Sequence, residues 1–162
     1  MFIKTIDVRH DGGMRFVATS GSGHTFVMDD RADDTGPGPI EAMLGTLAGC
    51  SGMDVVSILA KKRQVVDSYV IRVRAEQREE YPQVLTRIEV THELTGPALT
   101  PGAVARAVEL SATTYCPVSA MLSAGPTEVR HRHVTRRTDD PSFEATGEVA
   151  RGPFAWQREP GA

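Results

Sequence analysis

The sequence is poor in cysteine, in aromatic residues and in clustered charge. Of its 162 residues two are cysteines, Cys50 and Cys116, and one is a tryptophan. Two thiols cannot make the dense disulfide framework of small secreted domains. The net charge is −3 with both signs interspersed, and the longest basic cluster is Lys61, Lys62 and Arg63. A nucleic-acid partner is therefore not expected.

Long apolar runs are also missing. The N-terminal segment MFIKTIDVRHDGG alternates apolar and charged residues and lacks the continuous apolar stretch of a signal peptide. No uninterrupted run reaches the roughly 20 apolar residues of a transmembrane helix. We therefore expect no membrane partner and a cytoplasmic location, where stable structural disulfides are rare. The two cysteines are consequently more interesting as reactive thiols than as a structural bridge.

The chain does have enough apolar residues, 40% of its length, for one domain with a core. The segments FIKTIDVRH, MRFVATS and HTFVMD, separated by DGG and SGSG, predict a three-stranded meander. After an acidic loop, Pro39 is placed as the first residue of a long helix that continues to about Arg63. Its glycines, Gly45, Gly49 and Gly52, each cost about 1 kcal/mol relative to alanine, which predicts a close approach by another element.

Two alternating strands follow, YVIRVRAEQR and VLTRIEVTHEL, and the turn EEYPQ between them predicts a hairpin. A second helix is predicted to begin at Pro101 and to continue to about Tyr115. Pro117 interrupts it, so that a short third helix, PVSAML, begins with Cys116 at its N-cap position. Residues 128–135, EVRHRHVT, alternate like a last strand.

The predicted order of elements is β-β-β-α-β-β-α-α-β, which defines an α+β domain. We assign this domain to residues 1–135. Residues 136–162 are polar with scattered glycine and proline, and we expect them to form a C-terminal extension that is partly ordered.

The two cysteines are 66 residues apart, so no local motif links them. A lone cysteine on a helix is ordinarily a packing residue. Cys116, however, precedes Pro117 at a helix start, where free N–H groups and the helix dipole stabilise a thiolate. Cys50 lies in a helix made slender by glycine, which leaves space beside its sulfur. The residues thus favour reactivity without showing that the two thiols meet.

His131 and His133 are expected on one face of the last strand. Such a pair can bind zinc, but an arginine lies between them and no third ligand is near in the sequence. A solvated edge strand is therefore the favoured interpretation, and a cysteine–histidine zinc site is the weaker alternative.

Three segments together resemble the OsmC/Ohr family, in its less-characterised redox-protein branch. They read GPGPIEAMLGTLAGCSGMDVVSILAKKRQ, IRVRAEQREEYPQVLTRIEVTHELTG and VARAVELSATTYCPVSAML. The segments occur in the family's order and include both cysteines, and the resemblance covers about residues 5–134.

The resemblance implies an OsmC-like fold, in which an antiparallel sheet wraps around a long central helix, and an intertwined homodimer with sites at the subunit interface. It also implies thiol-dependent reduction of organic hydroperoxides, with Cys50 as the attacking and Cys116 as the resolving cysteine. A lipoyl-type dithiol or another thiol would be the reductant. The cycle passes through a sulfenic acid and a disulfide and requires no metal, flavin or haem.

In the best-characterised peroxidases of the family, a glutamate ten residues before the first cysteine pairs with an arginine of the N-terminal sheet, and together they activate the thiolate. Here that position is Ile40, and Glu41 lies one residue closer to Cys50. Arg15 and Arg31 are the candidates for the arginine. The alternative function is therefore a redox-sensing or small hydrophobic ligand-binding dimer with little peroxidase turnover.

Overall fold

The computed structural model describes the backbone of residues 1–151 and the side chains of residues 1–149. The chain divides into two compact units, Met1–Gly45 and the part from Thr46 onward. The secondary-structure elements are a mixture of helices and strands, as expected for the α+β class that the sequence predicted.

The first unit contains the predicted meander. Strands β1 (Ile6–His10), β2 (Phe16–Ser20) and β3 (Thr25–Met28) form an antiparallel sheet in the order β1-β2-β3. Several of its apolar side chains are exposed in the single chain, among them Ile6, Val8 and Phe26.

Helix α1 spans Pro39–Lys61, close to the predicted range. Proline is favoured as the first helical residue because its missing N–H would lack an intrahelical partner there anyway. The Glu41 carboxylate accepts a hydrogen bond from the backbone N–H of Gly38 at 2.9 Å, and Lys61 lies in the last turn. Both charges have the sign that the helix dipole favours at their ends.

Helix α1 is long and apolar enough, by length and composition, to cross a membrane. An 18-residue window of it has a mean hydropathy of 1.5, and 28% of that window is buried in the single chain. Glycine, threonine and serine interrupt its apolar residues, so the helix meets this test on mean hydropathy although it holds no run of about 20 apolar residues. The core helix of a soluble protein passes the same test.

The second unit is built on a four-stranded sheet in the order β4-β5-β6-β7. Its strands are β4 (Ser68–Gln77), β5 (Leu85–Gly96), β6 (Glu128–Arg137) and β7 (Glu144–Arg151). Strands β4 and β5 form the predicted hairpin. The pairing of β5 with β6 is parallel, so the sheet that was expected to be antiparallel contains one parallel pair. A parallel pair requires a long crossover, and the residues from 97 to 127 supply it.

Strand β7 is a difference from the prediction, because it lies in the segment predicted as a C-terminal extension. It pairs with β6 in antiparallel fashion. Its sequence, EATGEVAR, is rich in small and charged residues and carries little strand signal by itself, but Gly147 fits against His133, whose Nε2 would lie 2.9 Å from an added Cβ. The proposed domain end at residue 135 stays a prediction, and residues 152–162 lie outside the described part of the chain.

The crossover between β5 and β6 is helical. It consists of α2 (Pro101–Leu110), a π-helical turn (Ser111–Tyr115) and α3 (Pro117–Leu122). The predicted break at Cys116 and the predicted third helix are confirmed. The core of this unit joins the second half of α1 to β5 and α2, and its fully buried members are Val55, Leu59, Leu94, Leu99, Val104, Ala107 and Val108.

Candidate active site

The two cysteine sulfurs lie next to each other. The Cys116 thiol donates a hydrogen bond to the Cys50 sulfur, and the two Sγ atoms are 2.9 Å apart. Both thiols are free. Cys116 is buried, with 1% of its surface exposed, whereas Cys50 is only half-buried. The pair is therefore asymmetric, with an accessible acceptor sulfur and a buried donor thiol.

A serine at the end of α2 anchors the second cysteine's segment to α1. The Ser111 hydroxyl donates to the Asp54 carboxylate at 2.9 Å and contacts the carbonyl oxygen of Ser51 at 3.4 Å. Ser51 directly follows Cys50 on α1, and Asp54 lies one turn after it. From Ser111 the chain makes the π-helical turn, which closes with the Cys116 N–H donating to the Ser111 carbonyl at 2.9 Å. Single π-helical turns often occur at functional sites, and here one delivers Cys116 to Cys50.

Cys116 is the N-cap residue of α3, as predicted, and its sulfur accepts a hydrogen bond from the Ser119 N–H at 3.4 Å. The expectation that this position stabilises a thiolate is wrong. Burial raises the pKa of the Cys116 thiol, and its hydrogen bond to Cys50 raises it further, while the Ser119 N–H lowers it by less. In a buried site the loss of hydration outweighs one backbone hydrogen bond. Cys116 is thus held as a thiol.

A groove of about 420 Å³ lies between the second half of α1 and the end of the α2 segment, and neither cysteine is among its lining residues. Its lining includes Asp54, one turn after Cys50 on α1, and Tyr115, which precedes Cys116. Ile58 and Leu110 contribute apolar surface, and Lys61 and Lys62 contribute cationic groups. The groove is large enough for a small organic molecule.

The predicted activating residues lie in the first unit. The Glu41 carboxylate is engaged with the Gly38 N–H, and its side chain is exposed. Arg15 forms an ion pair with Asp11 in the β1–β2 region, and Arg31 lies exposed in the loop after β3. The role of Glu41, and of either arginine, in activating Cys50 stays a prediction.

Of the three glycines of α1, Gly52 is the one that meets a close neighbour within the described chain. A Cβ added there would lie 2.8 Å from the Cδ1 of Ile71 on β4, whereas one added to Gly45 or Gly49 would meet no atom of residues 1–151 within 4 Å. The predicted close approach is therefore made by a side chain at one glycine. A second groove, about 630 Å³ and apolar, lies along this face of the helix between Gly49 and Val56 and is open to solvent.

Sequence reasoning missed a buried row of polar side chains that crosses the sheet. The Tyr69 hydroxyl contacts His92 Nδ1 at 2.6 Å, His92 Nε2 contacts His131 Nδ1 at 3.4 Å, and His131 Nε2 contacts the Ser119 hydroxyl at 3.1 Å. These four residues come from β4, β5, β6 and α3. The row, here called the histidine tetrad, ends at the residue whose N–H touches Cys116.

Burial keeps the tetrad neutral. It lowers the pKa of His92 to about 3, with help from the neighbouring histidines, and that of His131 to about 4. Burial also raises the pKa of the Tyr69 hydroxyl. A neutral imidazole has one donor and one acceptor nitrogen, so each histidine can link its two neighbours in the row.

The expectation that His131 and His133 lie on a solvated edge strand is wrong. Strand β6 lies between β5 and β7, and both histidines are buried. His131 faces His92 and Ser119, whereas His133 Nδ1 contacts the Thr135 hydroxyl at 3.2 Å. The alternation of residues 128–135 did indicate this burial, because His131 and His133 lie on the same face of β6 as Val129, which is buried.

The chain resembles known proteins over most of its length. The family model for OsmC-like proteins matches residues 32–132. Protein YhfA of Escherichia coli strain K12 is 46% identical over 110 residues, which cover 68% of this chain and 82% of YhfA.

Solved structures share the fold. A hypothetical protein from Aquifex aeolicus VF5 is 27% identical with a TM-score of 0.76, and the match covers 85% of this chain and 98% of that one. The organic hydroperoxide resistance protein OhrB of Bacillus subtilis is 20% identical with a TM-score of 0.56, over 82% of this chain and 98% of that one, which is a likeness of fold alone. Because the family model spans more than half of the chain and the Escherichia coli relative is 46% identical, the protein belongs to the OsmC-like family.

Proposed function

We propose that the protein reduces organic hydroperoxides with a thiol, through a cycle of Cys50 and Cys116. The observation that carries the proposal is the sulfur pair itself, in which the half-buried Cys50 accepts a hydrogen bond from the buried Cys116 thiol at 2.9 Å. A nucleophile must meet its substrate, and its resolving partner must be within reach without competing for the substrate. Here Cys50 is the accessible thiol and Cys116 is the buried one. Fold relatives that are named for organic hydroperoxide resistance support the choice of substrate class.

In the proposed cycle the Cys50 thiolate attacks one peroxide oxygen. The S–O bond forms as the O–O bond breaks, the alkoxide leaves and takes up a proton, and Cys50 becomes a sulfenic acid. Cys116 then attacks the Cys50 sulfur. An S–S bond forms, the S–O bond breaks, and the hydroxyl leaves as water with the proton of the Cys116 thiol. A dithiol of the lipoyl type, or another thiol, reduces the disulfide by exchange and is itself oxidised.

The site suits this chemistry in two further respects. The hydrogen bond from the Cys116 thiol holds the two sulfurs in contact, as formation of a disulfide between them requires. The 420 Å³ groove offers apolar surface from Ile58 and Leu110 to the organic part of a hydroperoxide, and Tyr115, the residue before Cys116, also lines it. A reducing compartment such as the cytoplasm would keep both thiols available between cycles.

The test is peroxide consumption with dihydrolipoamide as reductant and cumene hydroperoxide as substrate. Cys50→Ser should abolish turnover. Cys116→Ser should allow a single attack and accumulate a sulfenic acid that dimedone labels. Equal turnover by wild type and Cys50→Ser would refute the proposal.

The second candidate is a redox-sensing or ligand-binding protein with little turnover. It is favoured by the contacts of Glu41 with Gly38 and of Arg15 with Asp11, which occupy two of the groups expected to activate Cys50. It predicts slow formation of one disulfide per chain and no sustained consumption of peroxide. The same assay separates the two functions, because many turnovers per chain would exclude the sensor.

We also propose that the protein acts as a homodimer. Helix α1 has 28% of its apolar window buried in the single chain, and Met53, beside the apolar groove, is 77% exposed. Sedimentation should give twice the 17.5 kDa of one chain. Met53→Glu should shift it toward the monomer, whereas Met121→Glu, at a similarly exposed methionine of α3, should not. A monomeric wild type would contradict this part of the proposal.

A further inference from the structure

The histidine tetrad is a largely buried polar row of the second unit that the proposed cycle does not use. It runs from β4 across β5 and β6 and ends on α3, through contacts of 2.6, 3.4 and 3.1 Å. His92 and His131 are 0% and 1% exposed. Burying two imidazoles in a core costs free energy that apolar residues of similar size would not cost. A purely structural account of the core does not explain them.

The geometry connects the tetrad to Cys116 through one residue. The Ser119 hydroxyl contacts His131, and the Ser119 backbone N–H donates to the Cys116 sulfur. Both groups belong to the first turn of α3, a helix of only six residues. So short a helix has little stability of its own, and it therefore depends on outside contacts to fix the position of Cys116.

The proton positions along the row are coupled. If the Tyr69 hydroxyl donates to His92 Nδ1, the ring must donate from Nε2 to His131 Nδ1, and His131 must in turn donate from Nε2 to Ser119. The reverse order is equally self-consistent, but a mixed order leaves two donors or two acceptors facing each other. The row thus acts as one unit that ties the central strands to α3.

We propose that His131, supported by His92 and Tyr69, is a positioning residue that acts through Ser119 to hold the Cys116 sulfur ready to capture oxidised Cys50. This inference rests on the proposed function for its biological setting, but it concerns a single chemical step. That step is the attack of Cys116 on a Cys50 sulfur that carries a leaving group. The first attack, by Cys50 itself, should not depend on the tetrad.

Ellman's reagent tests the step without any peroxide. Cys50 attacks the reagent, forms a mixed disulfide and releases one thionitrobenzoate. Cys116 then attacks the Cys50 sulfur, an S–S bond forms within the chain, and a second thionitrobenzoate leaves, while the Cys116 proton passes to solvent. Absorbance at 412 nm follows both releases, and Cys116→Ser should eliminate the second. Failure of peroxidase activity would therefore leave this test intact.

In His131→Leu we expect the second release to slow about tenfold or more while the first stays within about twofold of wild type, since one buried hydrogen bond to α3 is lost. His131→Gln can keep a nitrogen near the Nε2 position and should restore most of the second rate. A structural defect alone would slow both releases and would not be rescued by glutamine. An unchanged second release in His131→Leu, equal slowing of both releases, or glutamine no better than leucine would each overturn the proposal.

A serine pair covers the case in which His131→Leu does not fold. Ser119→Ala keeps the N–H that contacts Cys116 but removes the hydroxyl that contacts His131. Ser123→Ala is the matched control, because Ser123 is also buried on this segment and donates to the Ser119 carbonyl at 2.8 Å, outside the tetrad. The second release should slow more in Ser119→Ala than in Ser123→Ala. Equal rates in the two variants would overturn the proposal.

Discussion

The buried histidines make a specific prediction about acid stability. His131 is 1% exposed, and burial lowers its pKa to about 4 in the folded chain, from an ordinary value of 6.5. The unfolded chain therefore binds a proton at this residue between about pH 6.5 and pH 4 that the folded chain does not bind. As the pH is lowered from about 6.5 to about 4, the free energy of unfolding should therefore decrease. Above that window this histidine should not affect it.

The size of the effect follows from the two pKa values. One pKa unit corresponds to about 1.4 kcal/mol. Between pH 7.5 and pH 5 a histidine with these values should cost the folded state about 2 kcal/mol. His131→Gln cannot titrate, so wild type should lose about 2 kcal/mol more than this variant over the same interval. The other groups contribute to both proteins and largely cancel, except His92, whose pKa His131 helps to lower, so that its share cancels only in part.

Urea unfolding followed by circular dichroism, at a fixed protein concentration and at several pH values, measures the difference. His24→Gln is the control, because His24 is exposed on the meander and lies outside the histidine tetrad. Its unfolding curves should shift with pH as those of wild type do. Parallel shifts of wild type and His131→Gln would refute the reasoning, since they would mean that the buried imidazole does not resist protonation.

Two further changes test how the cysteine segments are held. Ser111→Ala removes the hydroxyl that contacts Asp54 and leaves a partly buried carboxylate oxygen without that donor. It should therefore lower the free energy of unfolding, measured in urea, by about 1–3 kcal/mol. A loss below about 0.5 kcal/mol would contradict the anchoring role. Gly52→Ala would bring a methyl group to 2.8 Å from Ile71 Cδ1 and should destabilise the chain, and Ile71→Val, which lacks that atom, should relieve much of the loss in a double-mutant cycle. Gly102→Ala, where an added Cβ meets no described atom within 4 Å, should instead be neutral or stabilising; equal losses at the two glycines would refute the steric argument.

The parts of the fold that local rules govern could be predicted from the sequence. Three helices begin at a proline, namely at Pro39, Pro101 and Pro117. Proline's fixed φ and missing N–H favour it at the first position of a helix, so these starts could be predicted. The meander and the β4–β5 hairpin have short connections, so alternation and turn residues were sufficient. These elements depend little on the rest of the chain.

The parts that depend on distant partners could not be predicted in the same way. The sequence of strand β7 has little strand propensity, and the strand forms by pairing with β6. Strand β6 in turn pairs in parallel with β5, from which a long crossover separates it. The hydrogen bond from Ser111 to Asp54 joins residues 57 positions apart. No local pattern encodes such a pairing, because its free energy arises only when both segments are already in place.

The histidine tetrad lies between these cases. His92 shares its parity on β5 with Ile88, Val90 and Leu94, all of which are buried, so the alternation pattern placed the ring on the core side. What the pattern could not supply was the identity of its neighbours across three strands. A histidine at an apolar parity is therefore a useful signal of a buried polar network, even where its partners are unknown.

The surroundings of the two thiols bear on which step of the proposed cycle the fold controls. Cys50 lies half-buried on a continuous helix, where access matters more than exact placement. Cys116 is buried at the junction of a π-helical turn and a six-residue helix, held by Ser111 on one side and by Ser119 with its histidines on the other. A thiol attacks as its thiolate, and a buried thiol with a raised pKa is seldom ionised, so its position must already be correct when the neighbouring sulfur becomes electrophilic. The larger share of the structural support accordingly surrounds the second cysteine, which makes capture of oxidised Cys50 the step most sensitive to changes elsewhere in the core.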